Sequence, residues 1–124
     1  RSLKFLREVM PFADLVVMPL TASAADVWAT EQLVEVVREA KKTSKRLKAR
    51  LVWNRLRSSR ATEALLAGTA ADLRAKELSS HLGSRTAYVE ALGRGLTVTE
   101  WRDPKAAAEF EVLLREVRDQ LKLA

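Results

Sequence analysis

Two short, nearly continuous apolar runs, Leu15 to Leu20 (LVVMPL) and Leu51 to Asn54 (LVWN), are each followed by a segment of helical length. A strand covered on both faces loses the polar alternation of a half-wet strand, and parallel neighbours need a crossover helix between them. The rhythm therefore predicts β-α-β with both sheet faces covered. Ahead of the first run, Leu3, Phe5, Leu6, Val9 and Met10 suit a helix that stops before Pro11, whose ring restricts the preceding residue. The first strand runs from Leu15 to Met18, and Pro19 ends it. Thr21-Ala22-Ser23 is a loop, and Ser23-x-x-Asp26 resembles an N-capping box with Asp in place of Glu or Gln. Val27, Trp28, Leu33, Val34, Val36 and Val37 then form the inward face of a long helix that frays near Thr43-Ser44, with Glu31, Glu35, Arg38 and Glu39 on the wet side.

The second strand spans Ala49 to Leu56, and Arg57-Ser58-Ser59-Arg60 is a polar loop. A helix from Ala61 to Arg74 turns Leu65, Leu66 and Leu73 inward, with Gly68 costing about 1 kcal/mol relative to alanine. Lys76 to Leu82 is read as a third strand, because two helices must be joined through the sheet. Gly83-Ser84 opens a short helix from Arg85 to Leu92, closed by Gly93 and Gly95, and Leu96-Thr97-Val98 is extended. Asp103-Pro104 is a strong helix start, and Ala107, Phe110, Leu113, Leu114, Val117 and Leu121 follow at helical spacing. The whole of residues 1–124 is expected to be one α/β domain, a three-layer sandwich around a mostly parallel sheet.

At 124 residues and 48% hydrophobic, the chain can fill one core. Its longest apolar stretch falls far short of the roughly 20 residues of a spanning helix, no secretory leader is visible, and without cysteine there is no disulfide or thiolate metal site. Cytosolic residence fits that composition. The four glycines, Gly68, Gly83, Gly93 and Gly95, form neither G-x-x-x-x-G-K-[ST] nor G-x-G-x-x-G. With Arg1 in first place, the expectation is the second half of a larger α/β protein whose phosphate-binding half lies upstream; a complete small binding domain is the other reading.

The net charge of +6 is unevenly spread. Between Arg38 and Arg60 ten basic residues face the single acid Glu39, while the remainder holds 12 basic and 15 acidic residues. Such a block, including Lys45 and Arg46, attracts phosphate backbones by counterion release, or it is a solvated helix end whose cations answer the dipole. Asn54 closes the second strand, where open α/β sheets present ligand-binding residues. Its amide offers an acceptor and two donors to a base edge, or it bonds its own backbone in a turn. His81, alone and without Cys or carboxylate neighbours, makes neither a metal site nor a triad, and no metal ligands are expected. Core packing is the expectation for Trp28, Trp53 and Trp101, and Tyr88 is read as packing. Helix capping suffices for Asp26. Lys105, Arg115, Arg118 and Lys122 alternate with acids on a solvated face. No serine elbow or acid-base carboxylate pair is present.

Taken in order, ADLVVMPLTASAADVWATEQL, KARLVWNRLR, HLGSRTAYVEALGRGLTVTEW and DPKAAAEFEVLLREV resemble the C-terminal half of a ParA-like partition ATPase, of the deviant Walker P-loop group that includes MinD. The strand ending Asn-Arg, the R-x-A-Y-x-E-A and the Gly-x-x-V-x-E carry the resemblance jointly. It implies the C-terminal half of a P-loop NTPase fold and an ATP-dependent homodimer with Mg2+ that binds DNA without sequence preference in plasmid or chromosome partitioning. It also implies a centromere-binding adaptor as partner, and a cytoplasmic, nucleoid-associated location without membrane. ATPase activity depends on an upstream P-loop half; no catalytic residue is expected in this stretch. By the same resemblance Asn54 contacts the base, Arg55 belongs to the nucleotide site beside it, and Leu82, Gly83, Ser84 and Arg85 form the other wall of its pocket. The resemblance also gives Arg85 and Arg94 to DNA, although both suit surface pairs with Glu90 or Glu100, and the basic block adds Arg57 and Arg60 as DNA contacts. The alternatives are a non-catalytic DNA-binding or protein-interaction module, and a MinD-like membrane ATPase; the mixed charge of LLREVRDQLKLA speaks against the last.

Overall fold

Each apolar run becomes a strand and each segment between runs a crossover. A computed structural model of the chain describes residues 2–57 and 59–123, with the side chains of Ser2, Arg60 and Ala61 outside that description. Helix α1 (Ser2–Val9) passes through a 3-10 turn at Met10–Phe12 into β1 (Leu15–Leu20). Then come α2 (Ala24–Thr43), β2 (Lys48–Leu56), α3 (Arg60–Leu73), β3 (Glu77–Gly83), α4 (Thr86–Gly93), a 3-10 turn at Val98–Glu100, and α5 (Pro104–Gln120). The three strands lie in the order β1-β2-β3, and both pairings are parallel.

Alternation along the central strand divides the core. Leu51 and Trp53, both 0% exposed, face Met18 and Leu20 of β1 together with Val34, Val36 and Val37 of α2 and Leu66 and Leu73 of α3. Val52 faces the opposite way, onto Leu78 of β3 and Leu113 of α5, with Phe110 and Val117 beside them. Helices thus cover both faces of β2, giving the three-layer α/β arrangement, one consistent with part of a P-loop NTPase fold. Ala87, Val98 and Ala106 hold α4 and the second 3-10 turn against α5.

Several expectations need correction. The first strand does not stop at Pro19: it continues to Leu20, with Pro19 opposite Val52. Proline is tolerated because β1 has no second neighbour among the described strands, so its missing N–H is not needed on that side. Trp28 is 66% exposed and Leu65 51%, against their assignment to inward faces. Each lies beside a core stripe that other residues of its helix already fill, Val34, Val36 and Val37 on α2 and Leu66 and Leu73 on α3, so the period places the helix but not the edge of its stripe. The extended backbone expected over Leu96 to Val98 holds at Thr97 but stops at Val98, where a 3-10 turn begins, with Thr97 as its N-cap in a reciprocal capping box with Glu100. Helix α3 ends at Leu73, and Arg74 takes the left-handed cap at φ 55.

Two glutamates of α5 shape the sheet edge. Ser79 and Ser80 donate their backbone N–H groups to Glu116 (2.7 and 2.8 Å), and Gly83 donates its own to Glu109 (2.7 Å). Carboxylates on one helix face, two turns apart at −4 and +3 from Leu113, satisfy donors that the outer edge of β3 leaves unpaired.

Candidate functional site

Ligands in open α/β sheets bind outside the carboxyl ends of the strands. Three loops meet there: Thr21–Ser23 after β1, the turn into α3 after β2, and Ser84–Arg85 after β3. They enclose two adjoining cavities of about 460 and 280 Å3 that share Leu56 and Arg57. His81, Gly83, Ser84, Arg85 and Glu109 complete the larger, and Thr21, Ser23, Arg55 and Thr62 the smaller.

The end of β2 is locally irregular. Between Trp53 and Leu56 the strand carries one residue more than its partner does between His81 and Gly83. Such a bulge bends a strand and re-aims its side chains. It falls on Asn54 and Arg55, and Arg55 has the left-handed φ of 54 that arginine rarely adopts. Asn54 Oδ1 accepts the backbone N–H of Arg55 at 3.0 Å, which holds the turn. A hydrogen bond from Ser84 N to the Leu56 carbonyl (2.9 Å) ties the third loop to the second.

Glu109 organises the larger cavity. Its carboxylate accepts from Gly83 N (2.7 Å), Arg85 Nε (3.2 Å) and Tyr88 Oη (2.6 Å). A Cβ on residue 83 would stand 3.2 Å from Glu109 Oε1, so glycine admits this approach. Burial pushes the Tyr88 phenol well above its ordinary value, and the hydrogen bond to Glu109 and that carboxylate's charge push it the same way, so Tyr88 remains a donor. Its ring meets Phe110 edge-on at 6.5 Å, in agreement with a packing role. Behind the wall of the smaller cavity Asp26 accepts from both the backbone N and Oγ1 of Thr21, and Ser23 Oγ caps α2 through Asp26 N (3.2 Å). The two Thr21 hydrogen bonds hold the Asp26 carboxyl below its usual range, and the nearby Arg55 charge adds to them. Asp26 therefore reaches past the cap rather than closing the expected box.

Of the sequence candidates, Arg55, Arg57, Gly83, Ser84 and Arg85 line the two cavities. Asn54 stands beside them at the strand end, half-buried, and lines neither. Leu82 lines neither cavity and packs with Val52, Leu78 and Leu113 on the α5 side. Arg85 pairs with Glu109, not with Glu90 or Glu100. Arg94 is exposed beyond α4. Ser58 and the Arg60 side chain lie outside the described residues. Lys45 and Arg46 are elsewhere altogether: they border a groove at the amino ends of the strands, beside Asp14 and Lys48. The basic block is therefore two surfaces, because β2 carries its charges from one end of the sheet to the other.

Glu109 drew no reading from the sequence, and Thr21 and His81 were given no binding role there, yet all three border the cavities. A signal for Glu109 existed, since it lies on the inward face of the last helix three residues after Ala106 and four before Leu113. Among the described residues no three His, Cys, Asp or Glu side chains are grouped to hold a metal, and no helix is long and apolar enough to cross a membrane.

No family model matches the chain. Over 112 residues it is 30% identical to the maintenance of carboxysome distribution protein A of Halothiobacillus neapolitanus, an alignment covering 89% of this chain and 52% of that protein. The chain thus spans about half the length of this curated relative. The likeness supports a ParA/MinD-like relationship.

Proposed function

We propose that this chain is the base- and DNA-facing part of a ParA-type ATPase that positions a cargo through nucleotide-gated dimerisation on DNA. The carrying observation is the joined cavity at the carboxyl ends of parallel strands, lined by Arg55, Arg57, Ser84 and Arg85, in a chain 30% identical to a carboxysome-distribution protein. The donors fit a nucleotide. Ser84 offers a hydroxyl, the bulge at Asn54 presents a carboxamide next to the cavities, and Arg55 and Arg57 face phosphate from the loop side. ATP with Mg2+ supplies, when bound, the differential affinity that favours a dimer over a monomer. The chain's own part is to orient the base with Asn54 and the Gly83–Arg85 loop, and to offer Arg57, Arg85 and Arg94 to DNA, with affinity enough to hold it only when the chain is doubled.

The relative's name points to a protein compartment as cargo, and the family resemblance to a plasmid or chromosome; an adaptor protein on the cargo would engage the dimer in either case. The reading frame upstream of Arg1 tests the ATPase part. A strand, a Gly-rich loop and a lysine there support it, and a start codon immediately ahead of Arg1 refutes it in favour of a binding module. For the DNA part, a salt-dependent mobility shift is expected to vanish on charge reversal of Arg57, Arg60 and Arg85, and unchanged binding removes that surface from the proposal.

A further inference from the structure

The opposite end of the sheet carries a separate charged surface. There the starts of β2 and β3 meet the C-terminal ends of α2 and α5 around a groove of about 820 Å3. Lys41, Lys45, Lys48, Arg50, Lys76 and Lys122 line it, and its one carboxylate, Asp14, is answered by Arg46 at 3.8 Å. Arg50 and Lys76 continue into an adjoining depression of about 520 Å3 that Arg74, Ala70 and Ala71 extend. The acid at that end, Glu77, is engaged by the Trp53 indole N–H at 2.6 Å. Among the described residues the ammonium groups of Lys41, Lys45, Lys76 and Lys122 have no ion-pair or hydrogen-bond partner.

Helix dipoles account for Lys41 and Lys122, which stand at the C-terminal ends of α2 and α5. The end of α5 answers Lys48 as well, since its ammonium donates to the carbonyl of Gln120, the last residue of that helix, at 2.8 Å. Helix ends do not account for Arg50, whose guanidinium reaches the Ala49 carbonyl at 2.8 Å, or for Lys76, and parallel register brings these two together at the starts of neighbouring strands. Like charges gathered within a Debye length of about 8 Å repel, so their convergence costs stability unless an anion answers it.

We propose that this groove docks an extended acidic segment of a partner protein, its carboxylates on the lysines of the wall and an apolar side chain against the half-buried Leu121. The form of the groove selects this occupant. A DNA duplex, stiff over about 150 bp, presents a broad convex face that does not follow a groove down to the half-buried Lys48 and Arg50. Single-stranded nucleic acid is held on aromatic platforms, and no aromatic side chain lines either depression. An extended peptide enters and alternates its side chains between wall and floor.

The test is fluorescence anisotropy at about 0.15 M salt with a labelled peptide of alternating Glu and Asp around a central Leu pair, and with the same peptide carrying Ser in place of Leu. The expected result is that K45E/K76E/K122E weakens the Leu peptide about tenfold or more, while the charge-matched K4E/K105E/R115E changes it less than about threefold. The Ser peptide should bind wild type several-fold more weakly than the Leu peptide. Equal losses in both triple variants would reduce the groove to the overall field of the molecule and overturn the proposal. So would undetectable peptide binding by wild type, equal binding of the two peptides, or a duplex oligonucleotide whose binding alone is lost in K45E/K76E/K122E. Far-UV circular dichroism checks the fold of each variant, and if the triple variant unfolds, K76E alone is measured against the same thresholds scaled to one reversal.

Discussion

Replacing Glu109 by alanine should destabilise the protein and loosen the loop after β3 at once. The carboxylate is 18% exposed and receives Gly83 N, Tyr88 Oη and Arg85 Nε. A hydrogen bond to a charged acceptor contributes about 1.5–3 kcal/mol. The Arg85 contact, 36% exposed on the arginine side, belongs to the weaker class of about 0–1 kcal/mol. Water reaching the truncated site recovers part of the loss, so E109A is expected to cost about 2–4 kcal/mol, a large share of the total of about 5–15 kcal/mol for a domain. E109Q, which keeps an acceptor oxygen but not the charge, should cost about half as much. The assay is urea unfolding followed by tryptophan fluorescence, where the midpoint should fall with the slope unchanged. Hydrogen exchange at the Gly83 amide should quicken in E109A well beyond the global change. A double cycle with Y88F should show coupling of about 1 kcal/mol, as contacting residues do. A cost below about 0.5 kcal/mol, or no coupling, would refute the view that this glutamate holds the loop.

Acid should weaken the sheet edge. Burial pushes the Glu116 carboxyl up, but hydrogen bonds from Ser80 and Ser79 outweigh it and leave it below the ordinary 4.5. A carboxyl lowered in the folded state stabilises fully above its unfolded value, and that stability is lost as pH falls through the folded one. Urea midpoints measured from neutral pH downwards should therefore drop below pH 4.5, and less steeply in E116Q. Trp53, 0% exposed with its indole N–H on Glu77, should cost about 3–5 kcal/mol as W53A; thermal unfolding checks this, and a cost under about 1 kcal/mol would contradict its central place. Gly68 has open space around its Cβ position within α3, so G68A should stabilise by about 0.5–1 kcal/mol. At the left-handed cap of the same helix R74G should stabilise by about 1 kcal/mol, and a lowered melting temperature for either would refute the local account.

How much of this was legible beforehand differs by the range of the interaction. The strands at Leu15 and Leu51, the cap at Ser23 and the Asp103-Pro104 start are signalled by residues adjacent in the chain, since strand burial, capping and proline geometry act over a few positions. The parallel sheet followed from the length of the crossovers, a local property too. Asn54 at a strand end was equally readable. Its neighbour's left-handed backbone was not, because the bulge exists only against the register of β3.

Glu109 and the basic block show the other side. Glu109 lies 26 residues beyond Gly83, and its contact exists because α5 crosses the edge of β3. The cations from Lys41 to Arg57 look like one surface in a linear reading. A strand of nine residues, Lys48–Leu56, carries Lys45 and Arg46 to one end of the sheet and Arg57 to the other. Local chemistry therefore names the elements and the residues able to bind, whereas which of them meet depends on contacts between distant segments, whose closing entropy and packing no short window contains.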